Sequence, residues 1–139
     1  MTAPASGQAM GYGRAPHRLV IVETHPIQYK APLFRKLAAV PELDVTVLYA
    51  MEPSPVEQGA GFGASFAWDV PLRTGYRSEL LENRARHPSV TTFRGCDTPG
   101  IARRLRELRP DAVLVNGWVA KTCLQALRAC RRLGIPCLV

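Results

Sequence analysis

The chain has 139 residues, 47% apolar and 21% charged, an ordinary globular balance with room for one domain and a modest core. No run of about 18 apolar residues occurs, so a membrane-spanning helix is not expected. The net charge of +7 admits anionic partners, but no nucleic-acid-binding motif accompanies it and nucleic acid is set aside as a partner.

Residues 1–16 are small and rich in Gly, Pro and Ala, with no apolar signal-peptide core. They read as a disordered leader ahead of a domain over residues 17–139, and a cytoplasmic location is the default. Leu19-Val-Ile-Val22 then forms an apolar, β-branched run that suits a strand buried on both faces. A polar turn follows, Glu23-Thr-His-Pro26, and then Ile27, Gln28 and Tyr29. Leu33, Phe34, Leu37 and Ala38 recur at helical spacing to about Val40, with Arg35 and Lys36 facing outward. Pro32 is tolerated because the first helical turn has no intrahelical partner for a backbone N–H.

Strand, polar turn and helix make the opening unit of a Rossmann-like sheet, in which ligands sit at the carboxyl ends of the strands. The turn is not glycine-rich. His25, Gln28 and Tyr29 stand where a phosphate-binding loop would carry Gly. His25 can exchange a proton near neutrality, and Gln28 and Tyr29 can hydrogen-bond sugar hydroxyls. His25 is equally able to serve as a turn residue bonding local backbone, and Tyr29 as plain packing. Glu23 ends a strand and reads as structural.

A second strand spans residues 44–49, parallel to the first. Residues 51–64 read as a loop, with Pro53 and Pro55 excluding helix. The glycine cluster Gly59-Ala-Gly-Phe-Gly63 precedes an extended segment instead of joining strand to helix, which argues against a dinucleotide fingerprint. Residues 65–70 alternate as an edge strand, and Ser78 to Leu81 add a short extended piece. Residues 82–96 are polar and irregular.

Thr98 is placed to cap a helix bearing Ile101, Leu105 and Leu108 on one face, with Arg103, Arg104 and Arg106 toward solvent. Pro110 ends it. Asp111-Ala-Val-Leu-Val115 is the next buried strand, and a second turn presents Asn116, Gly117 and Trp118. Gly117 permits close backbone approach to a ligand. Cys123, Leu124, Leu127 and Cys130 line the face of the next helix, which stops at Gly134. A last strand begins near residue 136. A buried strand disfavours a terminal carboxylate, so the chain is expected to be the amino-terminal part of a longer protein.

The four cysteines contain no CxxC pair, so the usual zinc and redox spacings are absent and no metal is expected. Cys123 and Cys130 would lie roughly 10 Å apart along one helix axis, beyond disulfide reach. Half of the 18 Lys and Arg fall between Arg94 and Arg132, which suits either an anionic surface or the solvated back of Arg-rich helices.

Taken together, His25-Pro-Ile-Gln-Tyr29, Pro32-Leu33, the strand from Asp44 to Tyr49, Gly61-Phe-Gly63, Trp68-Asp-Val-Pro-Leu72 followed by Gly75-Tyr76, and Arg109-Pro-Asp-Ala-Val-Leu-Val115 with Asn116-Gly-Trp118 resemble bacterial glycosyltransferase family 4. The resemblance implies an α/β Rossmann-like parallel sheet flanked by helices, the amino-terminal, acceptor-side half of a GT-B fold. It implies retaining transfer from a nucleotide sugar, as substrate and without metal or other cofactor, to a glycan or lipid-linked acceptor in cell-envelope polysaccharide synthesis. His25 would be the catalytic-site residue, with Gln28, Tyr29, Asn116, Gly117 and Trp118 binding substrate. Peripheral contact with an anionic membrane at its inner face is a further expectation. The family's donor-binding domain lies outside these 139 residues, so the chain alone is expected to be inactive. The alternative is a freestanding flavodoxin-like module for a phosphorylated small molecule.

Overall fold

The computed structural model describes residues 13–58 and 71–139. The leader expected up to residue 16 lies almost wholly outside them, as do the glycine cluster at 59–63 and the edge strand expected at 65–70.

Five strands, β1 (His17–Glu23), β2 (Leu43–Tyr49), β3 (Arg77–Leu80), β4 (Ala112–Val115) and β5 (Cys137–Leu138), form one parallel sheet in the order β3-β2-β1-β4-β5. This is an α/β fold of Rossmann type. Helix α1 (Ala31–Ala38) follows β1, the single turn α2 (Pro55–Gln58) follows β2, α3 (Ile101–Leu108) precedes β4, and α4 (Lys121–Leu133) links β4 to β5.

Alternation along β1 sends its side chains to two cores. Ile21 packs with Phe34, Val45, Val47 and Tyr49 on the α1 side. Val20 and Val22 join Val113, Val115, Leu105 and Cys123 on the α3–α4 side. A strand with apolar neighbours on both faces needs apolar residues at every position, which is why 19–22 is unbroken by polar groups. Phe34 also meets Tyr76 edge to face at 5.6 Å, and the Tyr49 and Tyr76 hydroxyls lie 2.7 Å apart.

Several local expectations change. Residues 51–58 are not all loop: Pro55 opens α2, a position where a missing N–H costs nothing, and the Gln58 amide donates to the Pro53 carbonyl at 3.0 Å. The piece expected at 78–81 is β3, an outer strand whose residues Thr46↔Arg77 to Tyr49↔Leu80 pair with β2. Thr98 does not cap α3. Its hydroxyl is buried against that of Thr122 at 2.5 Å, and its N–H donates to the Gln125 side chain at 2.8 Å, so it docks α3 on α4.

Arg104 does not face solvent alone. Its guanidinium forks onto both Glu79 oxygens at 2.7 and 2.6 Å, fixing α3 to β3. Arg35 likewise turns back from α1, and its Nε donates to the Thr74 carbonyl at 2.8 Å. On α4 the buried face is Thr122, Cys123, Ala126, Ala129 and Cys130, with Leu127 partly covered. The helix ends as expected at Gly134, which adopts φ 66°. No helix among the described residues is long and apolar enough to cross a membrane.

Candidate functional site

The order β3-β2-β1-β4-β5 reverses direction between β1 and β4, and the carboxyl edge at such a reversal is where open α/β sheets bind ligands. Val22 and Val115 are the last paired residues there, and the Asn116 N–H donates to the Val22 carbonyl at 3.2 Å. Glu23 and Asn116 therefore emerge side by side.

Glu23 is only 3% exposed. The Lys30 ammonium donates to both of its carboxylate oxygens at 2.9 Å, and the Asn116 side-chain amide donates to Oε1. One carboxylate thus joins the end of β1, the start of α1 and the turn after β4. Burial pushes the Glu23 carboxyl above its ordinary value, against the opposing pull of Lys30 and of the Asn116 amide. Both oxygens are engaged, so Glu23 orients its partners and is not a free base.

The turn between β1 and α1 is tied at several points. The carbonyls of Glu23 and Thr24 accept from the N–H groups of Ala50 and Met51 at 3.1 and 3.0 Å, and the Ile27 carbonyl accepts from Lys30 and Ala31, both at 3.1 Å. Local winding of 27–30 runs straight into α1, with Pro32 inside the first helical turn. Within this frame His25 is half-buried, its Nδ1 2.8 Å from the Thr24 hydroxyl. Gln28 is half-buried, and Tyr29 is 73% exposed.

In the turn after β4 Gly117 adopts φ 88°, a conformation that L side chains rarely take. No atom lies within 4 Å of the position a Cβ would occupy, so the backbone conformation, and not crowding, is what calls for glycine here. Trp118 beyond it is 68% exposed. The arrangement is a polar floor in which buried Glu23 is held by partly exposed Lys30 and Asn116, with the exposed Tyr29 and Trp118 on the same two turns.

Of the residues singled out in the sequence, Asn116 is brought directly onto the turn after β1, through Glu23. His25, Gln28 and Tyr29 share that turn, and Gly117 and Trp118 continue from Asn116. The sequence reading missed Lys30 and took Glu23 as merely structural. The available signal was an acid closing an apolar strand with a lysine seven residues on, just ahead of the helix. Among the described residues no group of three His, Cys, Asp or Glu side chains could hold a metal ion. Comparison with family models, with curated proteins and with solved structures found no match to the chain.

Proposed function

We propose that the chain is the acceptor-side part of a retaining glycosyltransferase, which moves a sugar from a nucleotide-sugar donor to a glycan or lipid-linked acceptor. The order and spacing of the motifs from His25 to Trp118 support this reading. The single structural observation that carries it is the Glu23–Lys30–Asn116 floor at the sheet's reversal point, with Tyr29 and Trp118 exposed beside it. Hydroxyl-rich rings are recognised by such fixed polar groups together with aromatic faces that cover their apolar side. His25 would position the acceptor hydroxyl or the transferred sugar by a hydrogen bond. Peripheral contact with an anionic membrane belongs to the same reading, through exposed Arg106, Arg128, Arg131 and Arg132, at about 1 kcal/mol per basic residue near the surface.

The test is transfer of labelled sugar from a panel of nucleotide sugars by the protein as encoded in its gene, beside a His25→Ala variant. Transfer should fall roughly 10- to 1000-fold in the variant, about 1.4 to 4 kcal/mol of transition-state stabilisation, with the melting temperature nearly unchanged. Absence of both sugar transfer and donor hydrolysis in the parent protein would remove the reading. Wild-type turnover in the variant would remove His25 from the site.

A further inference from the structure

Residues 82–97, between β3 and α3, contain only the 3-10 turn Phe93–Gly95, yet they are closely tied. Asn83 joins the two limbs of the loop: its amide donates to the Gly95 carbonyl at 2.9 Å, and its oxygen accepts from the N–H groups of Ala85 and Asp97 at 3.0 and 2.9 Å. The Arg84 N–H donates to the Asp97 carbonyl at 2.7 Å, and the Ser89 N–H to the Gly95 carbonyl at 3.1 Å. A Cβ on Gly95 would sit 2.1 Å from the Ser89 carbonyl oxygen, so only glycine lets the limbs close. The loop is a built surface and not a slack connection.

That surface lines an open cleft of about 810 Å³ with Arg84, Arg86, His87, Phe93 and Arg94, and Lys121 completes the wall. Among the described residues Asp97 is the one carboxylate lining it. Its oxygens accept from Lys121 at 2.6 Å and from Gln125 at 2.7 Å, and Arg84 pairs with exposed Glu82 at 3.1 Å. Arg86, Arg94 and His87 have no ion pair or side-chain hydrogen bond among the described residues. Lys121 is also the first residue of α4, a helix of 13 residues with no side-chain cap, so the positive end of its dipole adds to the same field.

Asp97 and Glu82 balance Lys121 and Arg84, which leaves Arg86 and Arg94 as uncompensated cations on the same wall, and an anion relieves the repulsion between them. Two unpaired guanidinium groups offer forked donors that match phosphate oxygens. The volume suits a small molecule, and the half-exposed Phe93 ring supplies one flat apolar wall. We propose that this cleft binds a phosphate monoester or pyrophosphate group, carried either by a soluble small molecule or by a lipid headgroup. The inference does not depend on glycosyl transfer and stands or falls separately from it.

The probe is inorganic pyrophosphate, titrated calorimetrically into the 139-residue chain at low salt. Saturable one-to-one binding is expected, weakened about tenfold or more in Arg86→Ala/Arg94→Ala. Arg131→Ala/Arg132→Ala removes the same charge at the far, exposed end of α4 and should change affinity less than about twofold. Circular dichroism and melting confirm that both variants fold, since all four side chains are exposed and lack ion pairs. Vesicles containing phosphatidate separate the two sources. Sedimentation that pyrophosphate reverses and Arg86→Ala/Arg94→Ala abolishes assigns a lipid headgroup; pyrophosphate binding without sedimentation assigns a soluble ligand. Absence of pyrophosphate binding, or equal weakening by the two double variants, would overturn the proposal.

Discussion

The Lys30 ammonium sits 2.9 Å from each oxygen of the Glu23 carboxylate, and that pair crosses from the last residue of β1 to the residue that opens α1. Lys30 keeps partial contact with solvent, whereas Glu23 has almost none. The asymmetry decides the balance: loss of hydration at Glu23 outweighs the attraction of its partners, and its carboxyl is raised. A carboxyl raised by burial beside a specific charge partner occurs at functional sites and in structural ion-pair networks alike.

A stability prediction follows with a definite sign. Because the folded protein holds this proton more tightly than the unfolded chain, the native state binds more protons just above the ordinary glutamate value of 4.5. Stability from this group is therefore fully present below that value and lost as pH rises through the raised one. Glu23→Gln imitates the protonated acid and keeps an oxygen for Lys30. It should match or exceed the parent in melting temperature at pH 7, and the difference should shrink toward pH 4. Lys30, Asn116 and the more distant Tyr49, Tyr76 and Cys123 are the neighbouring groups, and none changes in the variant. A loss of stability at pH 7 that grows with pH would show that the ion pair, and not burial, dominates.

The strands were legible where both faces are covered. β1 from Leu19 to Val22, β2 from Val47 to Tyr49 and β4 are apolar at successive positions because α1 and the α3–α4 pair press on opposite sides of them. β3 was harder to read. Arg77, Ser78 and Glu79 carry no apolar pattern, and the strand is placed by its ladder to β2 and by Arg104 from α3, 25 residues from Glu79. The same distance problem hid the site's floor. Glu23 has a local sign in Lys30, seven residues on, but its bond to Asn116 lies 93 positions away, whereas the turns around His25 and Gly117 carry local signals in Pro, Gly and polar residues. Residues 82–96 looked irregular because one asparagine, not a repeating pattern, organises them.

The Arg104–Glu79 fork makes a second prediction. Both side chains are about two-thirds covered, and Arg104 holds the Glu79 carboxyl below its ordinary value. In a double-mutant cycle, Arg104→Ala and Glu79→Gln should show coupling of about 1 kcal/mol at neutral pH. A lowered folded value means that this contribution is present above the ordinary glutamate range and lost as pH falls through the lowered one. Strictly additive effects at pH 7 would reduce the fork to surface decoration.

Thiol labelling tests the core on the α4 side. Cys96, Cys123 and Cys130 are buried, and Cys137 is partly exposed. Burial, together with the Cys137 thiol, pushes Cys130 up to about 12, and burial raises Cys123 as well. The reactive thiolate is therefore scarce at both. Iodoacetamide at pH 8 followed by peptide mass spectrometry should modify Cys137 first, with the other three protected until denaturant is added. Labelling of Cys130 as fast as Cys137 would mean that α4 and β5 open readily.

Gly95 gives the sharpest structural test of the cationic loop. A methyl group there meets the backbone of Ser89 at 2.1 Å, and no flexible side-chain end is available to yield. Gly95→Ala must therefore push the limbs of 82–97 apart, breaking the bonds from Ser89 N–H to the Gly95 carbonyl and from the Asn83 amide to the same oxygen. The expected loss is about 3 kcal/mol if the loop is part of the cooperative unit. Gly100→Ala is the matched control, since nothing lies within 4 Å of its Cβ position and its φ is −76°. It should leave stability within about 0.5 kcal/mol. Hydrogen exchange locates the damage: in Gly95→Ala the amides of Arg84 and Ser89 should exchange faster, while those of β1 and β4 in the sheet centre stay protected. Equal melting curves for the two alanine variants would mean that the limbs can part without consequence, and the loop could then no longer be treated as a preformed wall of the cleft.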